Sequence, residues 1–138
     1  MAGAFTTYLE LHDLDYLFGA TAFATPVTLY IGLSTTTTNA GGTGITEPVA
    51  MAYARITVTN NKTNWSTASG SAPGVVTNAA IMTFAQATGS WGVITDFFIS
   101  DALTAGNILA YGTLTASKTI ASGDTARFAI GDFAINLT

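Results

Sequence analysis

His12 is the single histidine in 138 residues, and there is no cysteine, so any base-assisted nucleophile would have to be served by that one imidazole. It lies between Leu11 and Asp13 in a run that reads as a helix face, and no G-x-S-x-G turn is present to display a serine. A solvated helix residue is the expected state of His12. Zinc asks for Cys or several His, which the chain does not have. Calcium asks for a run of oxygen ligands; Asp101 with Asn107, and Asp124 after Gly123, match no D-x-[DN]-x-[DN]-G loop and read as turn formers. A glycoside-hydrolysing pair could be drawn from Glu47, Asp96, Asp101 and Asp132, but so short and apolar a chain offers little to line a sugar cleft. Gly41, Gly42 and Gly44 lack the Lys and Ser/Thr of a phosphate loop and read as loop glycines. The expectation is no catalytic residue, no cofactor and no metal. The sequons Asn61-Lys62-Thr63 and Asn64-Trp65-Ser66 are formal acceptors to which no function attaches.

Composition points the same way. Charged residues are 9% and hydrophobic ones 49%, against roughly 25% charged in ordinary soluble domains. Such a surface must be covered by Thr, Ser, Asn, Gly and small apolar groups, and uncharged patches of that kind mark contacts with other chains. Net charge is −4, and Arg55, Lys62, Lys118 and Arg127 are scattered, which excludes the clustered basic footprint of a nucleic-acid binder. No run approaches the roughly 18 apolar residues of a spanning helix, so no membrane role is expected. Met1 to Tyr8 carries no basic, then apolar, leader pattern. The length suits one domain, residues 1–138.

These side chains need elements to hold them. Thr7 and Glu10 form a T-x-x-E box, and Leu11, Leu14 and Phe18 follow at helical spacing, predicting a helix over about 8–18 closed by Gly19. Its apolar stripe is expected to plug one end of the core, with docking onto a partner chain as the other reading. From residue 27 the period becomes two: Val27, Leu29, Ile31 and Leu33 alternate with Thr28, Tyr30, Gly32 and Ser34. Thr35 to Pro48 reads as a long, nearly uncharged loop, and Met51 to Thr59 as a second strand. Trp65 anchors a polar loop over 60–74. Short strands follow at 75–77 and 80–84, then Trp91 to Ser100, whose apolar residues face both ways and imply a central position. Further strands are expected at 108–114, 127–130 and 133–137. Eight or nine short strands with regular turns and one short N-terminal helix give a mainly β, single antiparallel β-sandwich, jelly-roll-like.

In order, the segments Val27 to Ser34, Gly42-Thr43-Gly44 with Glu47-Pro48 before Tyr53-Ala54-Arg55, and Ile81 to Phe84 with Trp91-Gly92 resemble a known family. The pattern continues through Phe97 to Ala102, Gly106 to Leu109 with Tyr111-Gly112, and Lys118 to Ile120 with Gly123-Asp124-Thr125. Together these look like small tailed-bacteriophage virion proteins, grouped as tail fibre proteins, some of whose relatives act as head decoration or cement proteins. Many of those carry longer or more charged early loops; this chain is spare there, which fits a compact particle-bound role better than a host-binding tip.

What the resemblance implies is a virion structural protein, made in the host cytoplasm, without catalytic residues. The expected role is capsid decoration: a homo-oligomer, dimer or trimer, on the outer surface of the phage head that binds the major capsid protein and stabilises contacts between its copies. A tail fibre or baseplate component binding the host surface is the alternative, with Trp65, Tyr30 and Tyr53 as its aromatic candidates. Partner contacts are expected at Tyr8 and Tyr16 on the helix and at Asn39, Gly41, Gly42 and Thr43 in the long loop, which also offers backbone groups for strand addition.

Overall fold

The computed structural model describes residues 1–70 and 73–137. In chain order the elements are β1 (Ala2–Phe5), α1 (Thr7–Gly19), β2 (Thr28–Ser34), β3 (Ile56–Thr59), β4 (Val75–Thr77), β5 (Met82–Thr83), β6 (Gly92–Ser100), β7 (Ile108–Ile120), β8 (Arg127–Phe128) and β9 (Ala134–Asn136). Seven strands form one sheet in the order β3-β2-β6-β7-β1-β9-β4, and β5 pairs with β8 in a separate ribbon. The fold is mainly β and sandwich-like, with layers of unequal size.

The central position expected of residues 91–100 follows from their two-sided burial. Leu33 is the register partner of Phe97, and Ile31 of Ile99; these residues carry the core on one face of the sheet. The second layer closes over them with Met82, Phe84, Phe128 and Phe133, all buried. Rings connect the two layers: Phe97 and Phe133 lie 4.7 Å apart, Phe133 and Phe128 4.5 Å. Such tilted contacts add modestly to the burial of large apolar surface. The alternate residues of β6, Asp96, Phe98 and Ser100, are also fully buried, but face a polar layer built by residues 34–55. Asn78, between β4 and β5, binds the second layer down: its Nδ2 donates to the Ala80 and Ala129 carbonyls, and its Oδ1 accepts from the Phe133 N–H.

Several expectations change. Residues 2–5, which carry no strand signal, form a strand between β7 and β9, and its pairing with β9 is parallel where the rest of the pairings described are antiparallel. The strand expected at Met51–Thr59 begins only at Ile56. Ahead of it Ala50, Met51 and Ala52 take left-handed φ values of 60, 52 and 64°, held because the Met51 carbonyl accepts from Thr88 N–H and the Trp91 indole. The strand expected at 108–114 runs on to Ile120, through a bulge. Thr113 faces Asp96 and Lys118 faces Ile94, so four residues, Leu114 to Ser117, stand opposite Thr95 alone.

Candidate functional site

The helix is the largest departure. Its N-cap is Thr6, not Thr7, and no side chain caps it. Thr6 is fully buried at the end of β1, and its hydroxyl donates to the Leu109 and Ile108 carbonyls of β7; a group committed to a neighbouring strand cannot turn back to the helix. The Thr7 N–H is satisfied by the Ala40 carbonyl at 2.8 Å. At the far end Ala20, not Gly19, takes the left-handed cap conformation, φ 52°.

No residue of α1 is buried, so the helix does not plug the core. Tyr8, Leu9 and His12 turn inward: His12 Nδ1 meets the Tyr8 carbonyl at 2.9 Å, and its ring lies between Tyr8 and Phe23, 4.3 and 5.0 Å between centroids. That arrangement rotates Leu11, Leu14 and Phe18 outward. Leu17 is 70% exposed and Phe18 84%. A cavity of about 360 Å³, lined by Leu9 and Phe23 on one side and Leu29, Trp65 and Ile135 on the other, remains between helix and sheet. Asp13 and Asp15 make no ion pair among the described residues.

The loop over 35–46 lies against the start of α1 and is held throughout. The Ser34 hydroxyl donates to the Thr36 carbonyl and accepts from the Thr46 N–H, and the Thr35 N–H donates to the Thr46 carbonyl. Asn39 Oδ1 accepts from the Gly41 N–H at 2.9 Å and the Thr43 hydroxyl at 3.1 Å. Gly42, at φ +67°, packs on Ile108, which a β-carbon would approach to 3.2 Å. Of the contact residues expected from sequence, Tyr16, Asn39, Gly41 and Thr43 are exposed, while Tyr8 and Gly42 are half-buried in the joint between helix and loop.

The groups weighed for chemistry hold structure. Glu47 forms a 2.7 Å ion pair with Arg55 and accepts from the Tyr53 hydroxyl. Arg55 also donates to Ser100 Oγ and to the Ala102 and Ala105 carbonyls, with its guanidinium 4.8 Å over the Phe98 ring. Burial, above all, pushes the Tyr53 phenol far above its ordinary value. Asp96 Oδ2 accepts from the Thr38 N–H and hydroxyl and from Thr113 Oγ1. Asp101 accepts from Asn107, Asp124 from the Ala121 N–H, and Asp132 from the Ala129 N–H, each closing a turn. Among the described residues no three or more His, Asp or Glu gather as a metal site, and no helix is long and apolar enough to cross a membrane. Trp65 is only 6% exposed and belongs to the core, and Tyr53 is tied to Glu47 and Leu33.

A second surface had no signal in the sequence. The β7 bulge opens two adjoining cavities, of about 230 and 350 Å³, that share Leu114, Lys118, Arg127 and Phe128. The bulge, Leu114-Thr115-Ala116-Ser117, keeps the alternation of an ordinary strand, and only the pairing shift reveals it.

No curated protein matches the chain. The family model described as Podophage GP4 fiber I protein gp80 matches residues 4–136, a span that takes in the end of β1, β2 to β9, the helix with its outward stripe, and the bulge of β7. The chain therefore belongs to that family of phage fibre proteins and is a structural protein of the virion.

Proposed function

We propose that this chain is a fibre subunit of a podophage virion, acting through surface contacts with other copies of itself and with neighbouring virion proteins. The observation that carries the reading is the outward apolar stripe of α1. A face with Leu17 70% and Phe18 84% exposed gains its free energy only when another surface covers it, at roughly 25 cal/mol per Å² of apolar area removed from water. Tyr16, four residues beyond the inward-turned His12, is exposed on the side of the helix away from that face, and the loop of Asn39, Gly41, Gly42 and Thr43 braces the start of the helix beside Tyr8. Buried Asp96 and Arg55 tie the loops to the sheet, and Asp101, Asp124 and Asp132 close turns, which suits a rigid building block.

Capsid decoration, with the major capsid protein as partner, would use the same exposed face; the family's description as a fibre protein favours the fibre. Gold-labelled antibody against the chain, imaged on purified virions, tests this. Label on projecting appendages is the expected result. Label spread over the head at many copies would replace the fibre reading with the decoration reading.

A further inference from the structure

We infer that α1 of one molecule docks into the groove of the β7 bulge on the next, so that copies associate head to tail. The inference deepens the fibre-subunit reading and rests on it for its biological setting, though the contact is argued from the chain alone.

The helix presents Leu14, Leu17 and Phe18 outward with the exposed Asp15 beside them, while Asp13 lines the cavity beneath. Its last turn has no basic residue, so the partial negative charge of the carbonyl end adds to the Asp15 carboxylate. An apolar face bordered by negative charge asks for an apolar groove bordered by positive charge.

The chain has one such groove among its described cavities. Leu114, Ile120 and Phe128 supply its apolar lining and Lys118 and Arg127 its border; Asp132, also on the rim, has its carboxylate engaged by the Ala129 N–H, so two cations stand against one acid. The chain has four Lys and Arg in all. Arg55 is buried on Glu47, and Lys62 donates to the Ser66 carbonyl. The other two, Lys118 and Arg127, are both exposed on this groove and make no ion pair among the described residues. Two helices meeting face to face would instead bring Asp15 and the negative helix end near their own copies, an arrangement that like charge disfavours.

A helix cannot fill the groove of its own molecule. It starts at the Ile108–Leu109 end of β7, where Thr6 bonds Leu109, and the groove begins at Leu114, roughly 17 Å further along the strand at about 3.3 Å per residue. The cavity beneath α1 and the two cavities of the groove have no lining residue in common. Two different patches at opposite ends make a heterologous contact, which closes into a ring or runs on as a filament.

Sedimentation velocity on the full chain tests this with two variants: Leu17→Ser with Phe18→Ser, which spoils the helix face, and Lys118→Glu with Arg127→Glu, which spoils the groove. The wild type is expected to sediment as species larger than 14.2 kDa, and each variant as the monomer. An equimolar mixture of the two should yield a one-to-one dimer, since each retains the half that the other lacks. A monomeric wild type, a variant that associates like wild type, or a mixture that stays monomeric would overturn the inference. Circular dichroism checks the fold of each variant. Should either fail to fold, Asp15→Lys and Lys118→Glu each weaken association, and together they restore it; no restoration is equally fatal. Virion labelling reads location independently, so a monomeric chain located on appendages would remove this contact and leave the fibre reading intact.

Discussion

Gly32 and Phe98 are register partners across β2 and β6, and the phenyl ring occupies the space where a side chain on the glycine would be: a β-carbon there would stand 2.1 Å from Phe98 Cζ. Over that fully buried ring lies the Arg55 guanidinium, itself fixed by Glu47, Ser100 and two carbonyls. Because the ring is fully buried and capped by Arg55, Gly32→Ala is expected to cost about 1–3 kcal/mol, the range for overpacking a close-fitted interior. Thermal melting reads this; an unchanged midpoint would show that Phe98 swings aside freely.

Asp96 joins the loop over 35–46 to the middle of the sheet. Asp96→Asn can keep all three bonds, because Oδ2 accepts every one of them and Oδ1 has no partner in the fold, so it should lose mainly the charge assistance, about 1 kcal/mol. Asp96→Ala leaves all three donors without it and should cost more. Urea midpoints at constant slope measure both; equal, negligible losses would mean that the loop is held without this carboxylate.

Three successive left-handed residues, Ala50 to Ala52, store strain, since each non-glycine residue in that region costs roughly 1–2 kcal/mol. Ala50→Gly should therefore raise stability by about 1 kcal/mol. Trp91→Phe, which removes the indole donor to the Met51 carbonyl, should lower it and expose the segment to proteolysis. A destabilising Ala50→Gly would place the strain elsewhere.

The Tyr53 phenol ionises near pH 10 when the chain is unfolded. In the fold it stays protonated to much higher pH, through burial first, with the Glu47 carboxylate adding to the effect and the Leu33 N–H opposing it. Its contribution is thus fully present below about pH 10 and declines as pH rises beyond, because unfolding then releases a proton. Urea midpoints followed upward from pH 9 should fall more steeply for wild type than for Tyr53→Phe. Parallel curves would sink the assignment.

Much of the β architecture was legible because its causes are local. Alternation over Leu29 to Leu33 and two-sided apolarity over Ile94 to Ile99 report directly which faces are covered. The helix was legible as an element but not in its facing: Leu11, Leu14 and Phe18 show that a stripe exists, not what covers it. β1 was invisible because it is selected for smallness. A β-carbon on Gly3 would meet Ile135 Cδ1 at 2.7 Å and the Tyr111 carbonyl at 2.9 Å, a demand set by strands far along the chain. The loop glycines were seen, but Asn39 and Ser34 as the side chains that fix them were not, since such bonds depend on where the turn brings its own backbone. Along the sequence Lys118 and Arg127 are scattered charges; only the pairing of β5 with β8 and the bulge of β7 bring them to one groove.

The place of β1 also constrains when the sheet can be completed. Its neighbours are β7 and β9, and the Met1 amine donates to the Asp132 carbonyl across 131 positions of sequence. Pairings of such high contact order close slowly, and on the ribosome none of the β1–β9 ladder can form until residues 134–136 have emerged. Until then Gly3 and Ala4 lack one flanking strand while α1 already displays its apolar stripe, so nascent chains and any early-terminated product would be the forms most open to aggregation and to chaperone capture.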